Sequence, residues 1–242
     1  MRIAFFSDIH ANLPALDAFF KDVESEHIDA IYCLGDLVGY NVWPNEVVNE
    51  IRKRNIPTIM GNHDEALLLP AVQESTPSNR GLTRSLVSTK NRDYLINLPR
   101  HLALNFMTKH EPFNLLMVHG SVKAINDYMV EDYPEADVLQ MMQSQHADVL
   151  LCGHTHKPFH RVLKSKNVYK HVVNIGSVGK PKDGDTRLCY AILELNQNST
   201  PTNPKAIKVI FKRAEYDVEK AAKAIESSAF NIAYAEALRI AK

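Results

Sequence analysis

The chain has 242 residues, 45% of them hydrophobic, which suits one large domain or two small ones with a sizeable core. Basic and acidic side chains number 28 each, so the formal net charge is zero, which argues against the broad basic footprint of a nucleic-acid binder. The first segment, MRIAFFSD, offers four apolar residues before its aspartate, too few for a signal peptide, and no long apolar run follows, so a soluble cytoplasmic protein is expected.

In chain order, residues 3–7 are read as a continuous apolar strand. Residues 13–26 follow as a helix. Asn12 can cap it, Pro14 sits where proline is tolerated, and Leu16, Phe19, Phe20 and Val23 form its apolar stripe. Residues 30–34 make the next strand, 44–54 a helix opening at Pro44, and 57–60 a third strand. This rhythm predicts parallel strands joined by right-handed crossovers. Residues 65–99 break it. They are polar and mostly helical in character, with a loop at 75–79, and are read as an insertion near the strand ends. Strands are expected near 103–107, 114–118, 148–152, 159–164, 168–174, 187–194 and 206–213. The 157–170 stretch reads as a hairpin with a charged edge (Arg161, Lys164, Lys166, Lys170), since edge lysines discourage strand pairing. Residues 196–204 are rich in turn formers and predict a second hairpin. Residues 216–241 are Ala-rich and helical, with a stripe that suits core burial and would also permit a homodimer. No repeat or linker divides 1–242, so one domain is expected.

Five apolar runs stop at polar clusters: Asp8 and His10; Asp36; Asn62, His63 and Asp64; His119; and His154 with His156. Ligands at the carboxyl ends of neighbouring strands of an open α/β sheet converge on one spot. In extended backbone, i and i+2 point the same way, so Asp8 and His10, and likewise His154 and His156, are expected to share a side. His63 next to Asn62 is free for proton transfer or charge stabilisation, and Asp64 can orient its ring. The inventory of two Asp, one Asn and four His suits Mn, Fe, Zn, Ni or Co, with no thiolate as in structural zinc sites. Cys33, Cys152 and Cys189 lie in apolar runs and read as reduced core residues. Seven ligands exceed one tetrahedral ion and suit two ions sharing a carboxylate, the arrangement that clamps the oxygens of a phosphoryl displacement. His27, His101, His110, His146, His160 and His171 belong to no motif.

In order and rough spacing, Asp8-x-His10, Gly35-Asp36, Gly61-Asn62-His63-Asp64, His119 and Gly153-His154-x-His156 resemble the calcineurin-like metallophosphoesterase superfamily. VGYNVWPNEVV (38–48) and NIGSVGKPKDGDTRLCYAIL (174–193) resemble its small prokaryotic phosphodiesterase branch. The resemblance runs to about residue 215. It implies a four-layer α/β/β/α sandwich of two mixed sheets flanked by helices. It implies that Asp8, His10, Asp36 and His156 hold a first divalent transition metal ion, and that Asp36, Asn62, His119 and His154 hold a second, with Asp36 bridging. It further implies in-line attack by a metal-bridging hydroxide, with His63 stabilising or protonating the leaving oxygen and Asp64 holding it. Manganese is the first ion to try.

The expected substrate is a small nucleotide-like phosphodiester, with monoesters and dinucleoside polyphosphates also open. Alternatives are a nuclease of the same superfamily and a non-catalytic metal-binding scaffold. Residues expected near the substrate are Asn12, Tyr40, Trp43, Arg80 and Lys180. Tyr40 and Trp43 could stack a base, although Trp43 could equally pack beside Pro44. Arg80 and Arg84 could reach phosphate or line a solvated helix face. Lys180 and Lys182 could meet a polyphosphate or be ordinary loop lysines.

Overall fold

The computed structural model describes residues 1–70, 78–109 and 111–242. Residues 75–77 of the expected loop, and His110, lie outside the described residues.

Strand β1 (Arg2–Phe6) leads into helix α1 (Leu13–Val23), capped by Asn12, whose side-chain oxygen accepts from Ala15 N–H. Strand β2 (Ala30–Cys33) and helix α2 (Pro44–Lys53) follow. The third strand expected at 57–60 is a correction. Only an isolated bridge joins Cys33 to Thr58, because a single residue after Pro57 continues the ladder before Met60 N–H turns to Pro99 O. A short helix α3 (Asn62–Glu65) comes next, then α4 (Asn79–Leu86) and α5 (Thr89–Ile96). Strands β3 (His101–Met107) and β4 (Pro112–Val118) lead to helix α6 (Glu135–Ser144), which was not anticipated from the sequence. Strands β5 (Val149–Cys152), β6 (Phe159–Ser165), β7 (Val168–Asn174), β8 (Leu188–Glu194) and β9 (Lys208–Ala214) precede helices α7 (Val218–Glu226) and α8 (Ala233–Ile240).

The strands form two mixed sheets, ordered β2-β1-β8-β9 and β3-β4-β5-β7-β6. β1 pairs parallel with β2 and antiparallel with β8; β5 pairs parallel with β4 and β7. The 196–204 segment joins antiparallel β8 and β9, and β6–β7 is an antiparallel hairpin with β6 at the sheet edge.

Strand periodicity sorts side chains into layers. From β1, Ala4 and Phe6 face Leu16 and Phe19 of α1 and Val47 and Ile51 of α2. Ile3 and Phe5 face the other way, onto Leu115, Met117, Val149, Leu151 and Val173 of the second sheet. From that sheet, Leu116, Leu150 and Val172 turn outward onto Val138, Met141 and Met142 of α6. Helix, sheet, sheet and helix are thus stacked in the expected order. Each fully buried large apolar side chain contributes about 1.5–3 kcal/mol, so the apolar layer between the sheets is what holds their edges in register for the site.

Candidate active site

The convergence expected at one open sheet is built differently. β1 and β2 deliver Asp8, His10 and Asp36 from the first sheet, while β4 and β5 deliver His119, His154 and His156 from the second. The site therefore lies where the ends of two stacked sheets meet. The i, i+2 argument also needs correction. Asp8, His10, Asp36, His154 and His156 all have positive φ, between 49° and 62°, so the backbone is left-handed and not extended there. Asp8–His10 still share a focus, because Asp8 N–H and His10 N–H bond to Gly35 and Asp36 carbonyls in the neighbouring strand-end loop. The close approach depends on Gly61, where an added Cβ would lie 2.1 Å from Asp36 Oδ1.

Each aspartate divides its oxygens. Asp8 Oδ2 accepts from His154 N–H at 3.1 Å, and Asp36 Oδ1 accepts from His63 N–H at 2.8 Å. The other oxygens, Asp8 Oδ1 and Asp36 Oδ2, are buried without a hydrogen bond, as is His154 Nε2. Asp8 Oδ1 lies 3.1 Å from His156 Nε2 and 3.7 Å from His10 Nε2; Asp36 Oδ2 lies 3.3 Å from His119 Nε2 and 3.6 Å from His10 Nε2. Asn62 Oδ1 is 3.1 Å from His119 Nε2.

Three rings are oriented from behind. His10 Nδ1 donates to Val38 O, His119 Nδ1 to Leu34 O and His156 Nδ1 to Lys180 O. A carbonyl only accepts, so these Nδ1 atoms carry protons, and each ring turns its Nε2 inward, as metal-binding histidines are set. His10 Nε2 and His156 Nε2 face each other at 3.1 Å. Two lone pairs and two orphaned carboxylate oxygens in one buried space call for positive charge. The donors fit divalent ions: Asp8, His10 and His156 lie within 4.8 Å of one another, and so do Asp36, His119 and His154.

Protonation reflects the same balance. Burial resists ionisation of Asp8, but His156 and His119 overcome it and hold its carboxyl below the ordinary range. Burial alone would lower the pKa of His119, yet Asp36 raises it to about 10. His119 is thus the ring that takes a proton when no cation balances the carboxylates, and a divalent ion would displace that proton.

His63 also falls within 4.8 Å of His10 and Asp36. Its ring lies between Tyr40 and His10, at centroid distances of 4.7 and 4.9 Å, and makes no hydrogen bond among the described residues. Gly39, at φ +96°, makes room for it; a Cβ there would lie 2.6 Å from His63 Nδ1. Burial lowers its pKa, so near pH 7 it offers a neutral N–H and not a full charge. Asp64 has a different task from the one expected. It does not orient the His63 ring: Oδ2 accepts from the Asp36 and Gly61 amides, and Oδ1 from Leu37 N–H, which ties two strand-end loops together.

Of the residues expected near substrate, Tyr40 stands at the rim. Its ring touches His10, His63 and Tyr234, and burial pushes its pKa up to about 12. Asn12 is a correction: it is buried, its oxygen caps α1 and its Nδ2 donates to Gly179 O, so its side chain serves the fold. Trp43 is another, since it is partly buried and packs against the C-terminal core cluster of Ala221, Ala222, Ile225, Phe230, Ala235 and Leu238. Lys180 is buried, with Nζ on Lys242 O at 3.0 Å and 5.2 Å from the Tyr40 ring centroid; burial first, then Lys182, lowers its pKa to about 8. Lys182 is better placed for an anion. It is half-buried, has no ion pair or side-chain hydrogen bond among the described residues, and feels the charges of Asp8 and Asp36. Arg80 lies on α4, which reaches the rim through Asn79 Oδ1 accepting from Tyr40 N–H.

Several contributors carried no separate sequence signal. Asn41 Nδ2 holds the His10 carbonyl. Asn174 Nδ2 holds Gly153 O and Thr155 Oγ1, fixing the turn that carries His154 and His156; its one signal was its place at the head of the 174–193 motif. Tyr128, exposed, places its ring 4.5 Å from that of His154. Among the described residues no helix is long and apolar enough to cross a membrane.

The family model described as the calcineurin-like phosphoesterase superfamily domain matches residues 1–198. An uncharacterised protein of Methanocaldococcus jannaschii is 32% identical over 236 residues, covering 90% of this chain and 89% of that protein. A symmetrical bis(5'-nucleosyl)-tetraphosphatase of Acidovorax sp. (strain JS42) is 33% identical over 100 residues, covering 39% of this chain and 34% of its own length. The crystal structure of a metallophosphoesterase from Sphaerobacter thermophilus superposes with TM-score 0.79 at 27% identity, covering 100% of this chain and 99% of that one.

Proposed function

The chain belongs to the calcineurin-like phosphoesterase superfamily and is a metallophosphoesterase, a hydrolase of phosphoric esters; on that premise we propose that it cleaves phosphodiester bonds in small nucleotide-like substrates with two divalent ions. The observation that carries this reading is the division of labour at Asp8 and Asp36. One oxygen of each positions the backbone, and the other stands unpaired against inward-facing Nε2 atoms. Asp8, His10, Asp36 and His156 would hold one ion; Asp36, Asn62, His119 and His154 would hold the other. Such ions, when bound, stabilise charge on the phosphoryl oxygens and make water a usable nucleophile near neutral pH.

The chain's own residues supply the rest. Asp64 keeps the Asp36 and Gly61 loops in register. Tyr40 and Gly39 confine the His63 ring, whose N–H is available to an oxygen that gains charge as the ester breaks. Lys182 would supply positive charge where phosphate enters, and exposed Tyr128, beside His154, offers a ring for a base. A diester preference is consistent with this open aromatic rim.

The test is hydrolysis of bis(p-nitrophenyl) phosphate by protein stripped of metal and reloaded in turn with Mn²⁺, Fe²⁺, Co²⁺, Ni²⁺ and Zn²⁺. Turnover is expected with manganese foremost and is expected to vanish in Asp36→Ala and His119→Ala. No hydrolysis of this diester or of p-nitrophenyl phosphate under any ion would sink the reading.

A further inference from the structure

Beyond the metal site, α4 and α5 bring three arginines together. Arg84 Nη1 donates to the Leu67 carbonyl at 2.8 Å, and Arg92 Nε and Nη2 donate to the same oxygen at 3.2 Å each. Arg80, one turn before Arg84 on the same face of α4, has no hydrogen bond or ion pair among the described residues. Burial first, then the charges of Arg92 and Arg80, lower the pKa of Arg84. No described carboxylate pairs with any of them; Glu65, the nearest acid on α3, pairs with Arg100. All three are half-buried. One carbonyl is a small share of their donors, and like charges held this closely repel.

The elements that carry the cluster are tied to the candidate site on two sides. Leu67 follows α3, whose first residue is the candidate ligand Asn62, five residues earlier and roughly 8 Å along a helical path. On the other side, Asn79 accepts from Tyr40 N–H, and the Tyr40 ring lies against His63. An arginine fork matches phosphate oxygens in two parallel bonds.

We propose that Arg80, Arg84 and Arg92 bind a second phosphoryl group of the substrate, beyond the one that is cleaved. This deepens the phosphodiesterase reading and selects within it the substrates that carry further phosphates, such as dinucleoside polyphosphates. The two can fail separately, because anion binding needs no turnover.

Arg80→Gln is the clean variant, since it breaks no hydrogen bond among the described residues. Metal-free protein is titrated calorimetrically with inorganic tripolyphosphate. The wild type is expected to bind it, Arg80→Gln to bind about tenfold more weakly, the worth of one charged hydrogen bond, and Arg80→Lys to lie between. With manganese-loaded protein, Arg80→Gln is expected to raise KM for a dinucleoside tetraphosphate by a larger factor than KM for bis(p-nitrophenyl) phosphate. No binding by the wild type, equal binding by Arg80→Gln, or equal factors for the two substrates would overturn the proposal. Arg80-dependent tripolyphosphate binding by a protein that hydrolyses nothing would leave the anion site standing and remove the proposed activity.

Discussion

His63 and Asp64 are chain neighbours with separate work. The Asp64 carboxylate satisfies three buried amides, those of Asp36, Leu37 and Gly61. Asp64→Ala leaves them without acceptors at about 1–3 kcal/mol each, so the urea midpoint should fall strongly. The His63 ring makes no hydrogen bond among the described residues, and the backbone N–H that holds Asp36 Oδ1 survives substitution. His63→Ala should keep the urea midpoint and the metal content while turnover drops on the order of 10²–10³-fold. Elemental analysis decides the point: a variant that loses metal makes His63 a ligand, and its assigned role falls. Asp8 and Asp36 were legible as candidate ligands because buried carboxylates at strand ends have few other uses. The task of Asp64 was not, since two of the amides it serves, those of Leu37 and Asp36, lie 27 and 28 residues away in the chain.

At the scale of elements, β6 and β7 carry a paired imidazole. His160 Nε2 and His171 Nδ1 lie 3.1 Å apart, and His171 is fully buried. Burial, then His160, lowers the pKa of His171 to about 4, and burial also lowers that of His160. The unfolded chain takes up a proton near pH 6.5 that the folded hairpin refuses until about pH 4. Stability is therefore full above pH 6.5 and declines as pH falls toward 4, by on the order of 3 kcal/mol for His171. Thermal melts from pH 7 to 4 should show this slope, flatter in His171→Gln; an equal slope in the variant would refute the assignment. The hairpin itself was readable from alternation and turn residues. Helix α6 was not, because Glu135–Ser144 buries only Val138, Met141 and Met142, too short a stripe to stand out.

For the whole molecule, the candidate ligands come from both sheets, so bound ions would fasten the two at their ends. Ligand binding to the folded state at a hundred times Kd adds about 2.7 kcal/mol. Chelation of the loaded protein should accordingly lower Tm by on the order of 5–10 °C, with restoration on adding Mn²⁺. A Tm indifferent to chelation would mean that the ions do not bridge the sheets. The same end of the molecule gathers the rim: Tyr40 from the first sheet's loops, Tyr128 from the segment after β4, Tyr234 from α8, and the arginines of α4 and α5.

The sequence by itself named the residues that gather at the candidate site, the order of most elements and the α/β class. Ligand chemistry and strand periodicity are local properties, written in residue type and spacing. Only the tertiary structure decided that the centre lies between two sheets, with Asp8, His10, His154 and His156 on left-handed backbone, because that follows from how apolar faces stack and not from any one segment. It also decided that Asn12 and Trp43 serve the fold, that Asp64 clamps amides, and that Arg84 and Arg92 meet at the Leu67 carbonyl. These are contacts between segments distant in the chain, and a side chain's partner is set by what the fold brings to it.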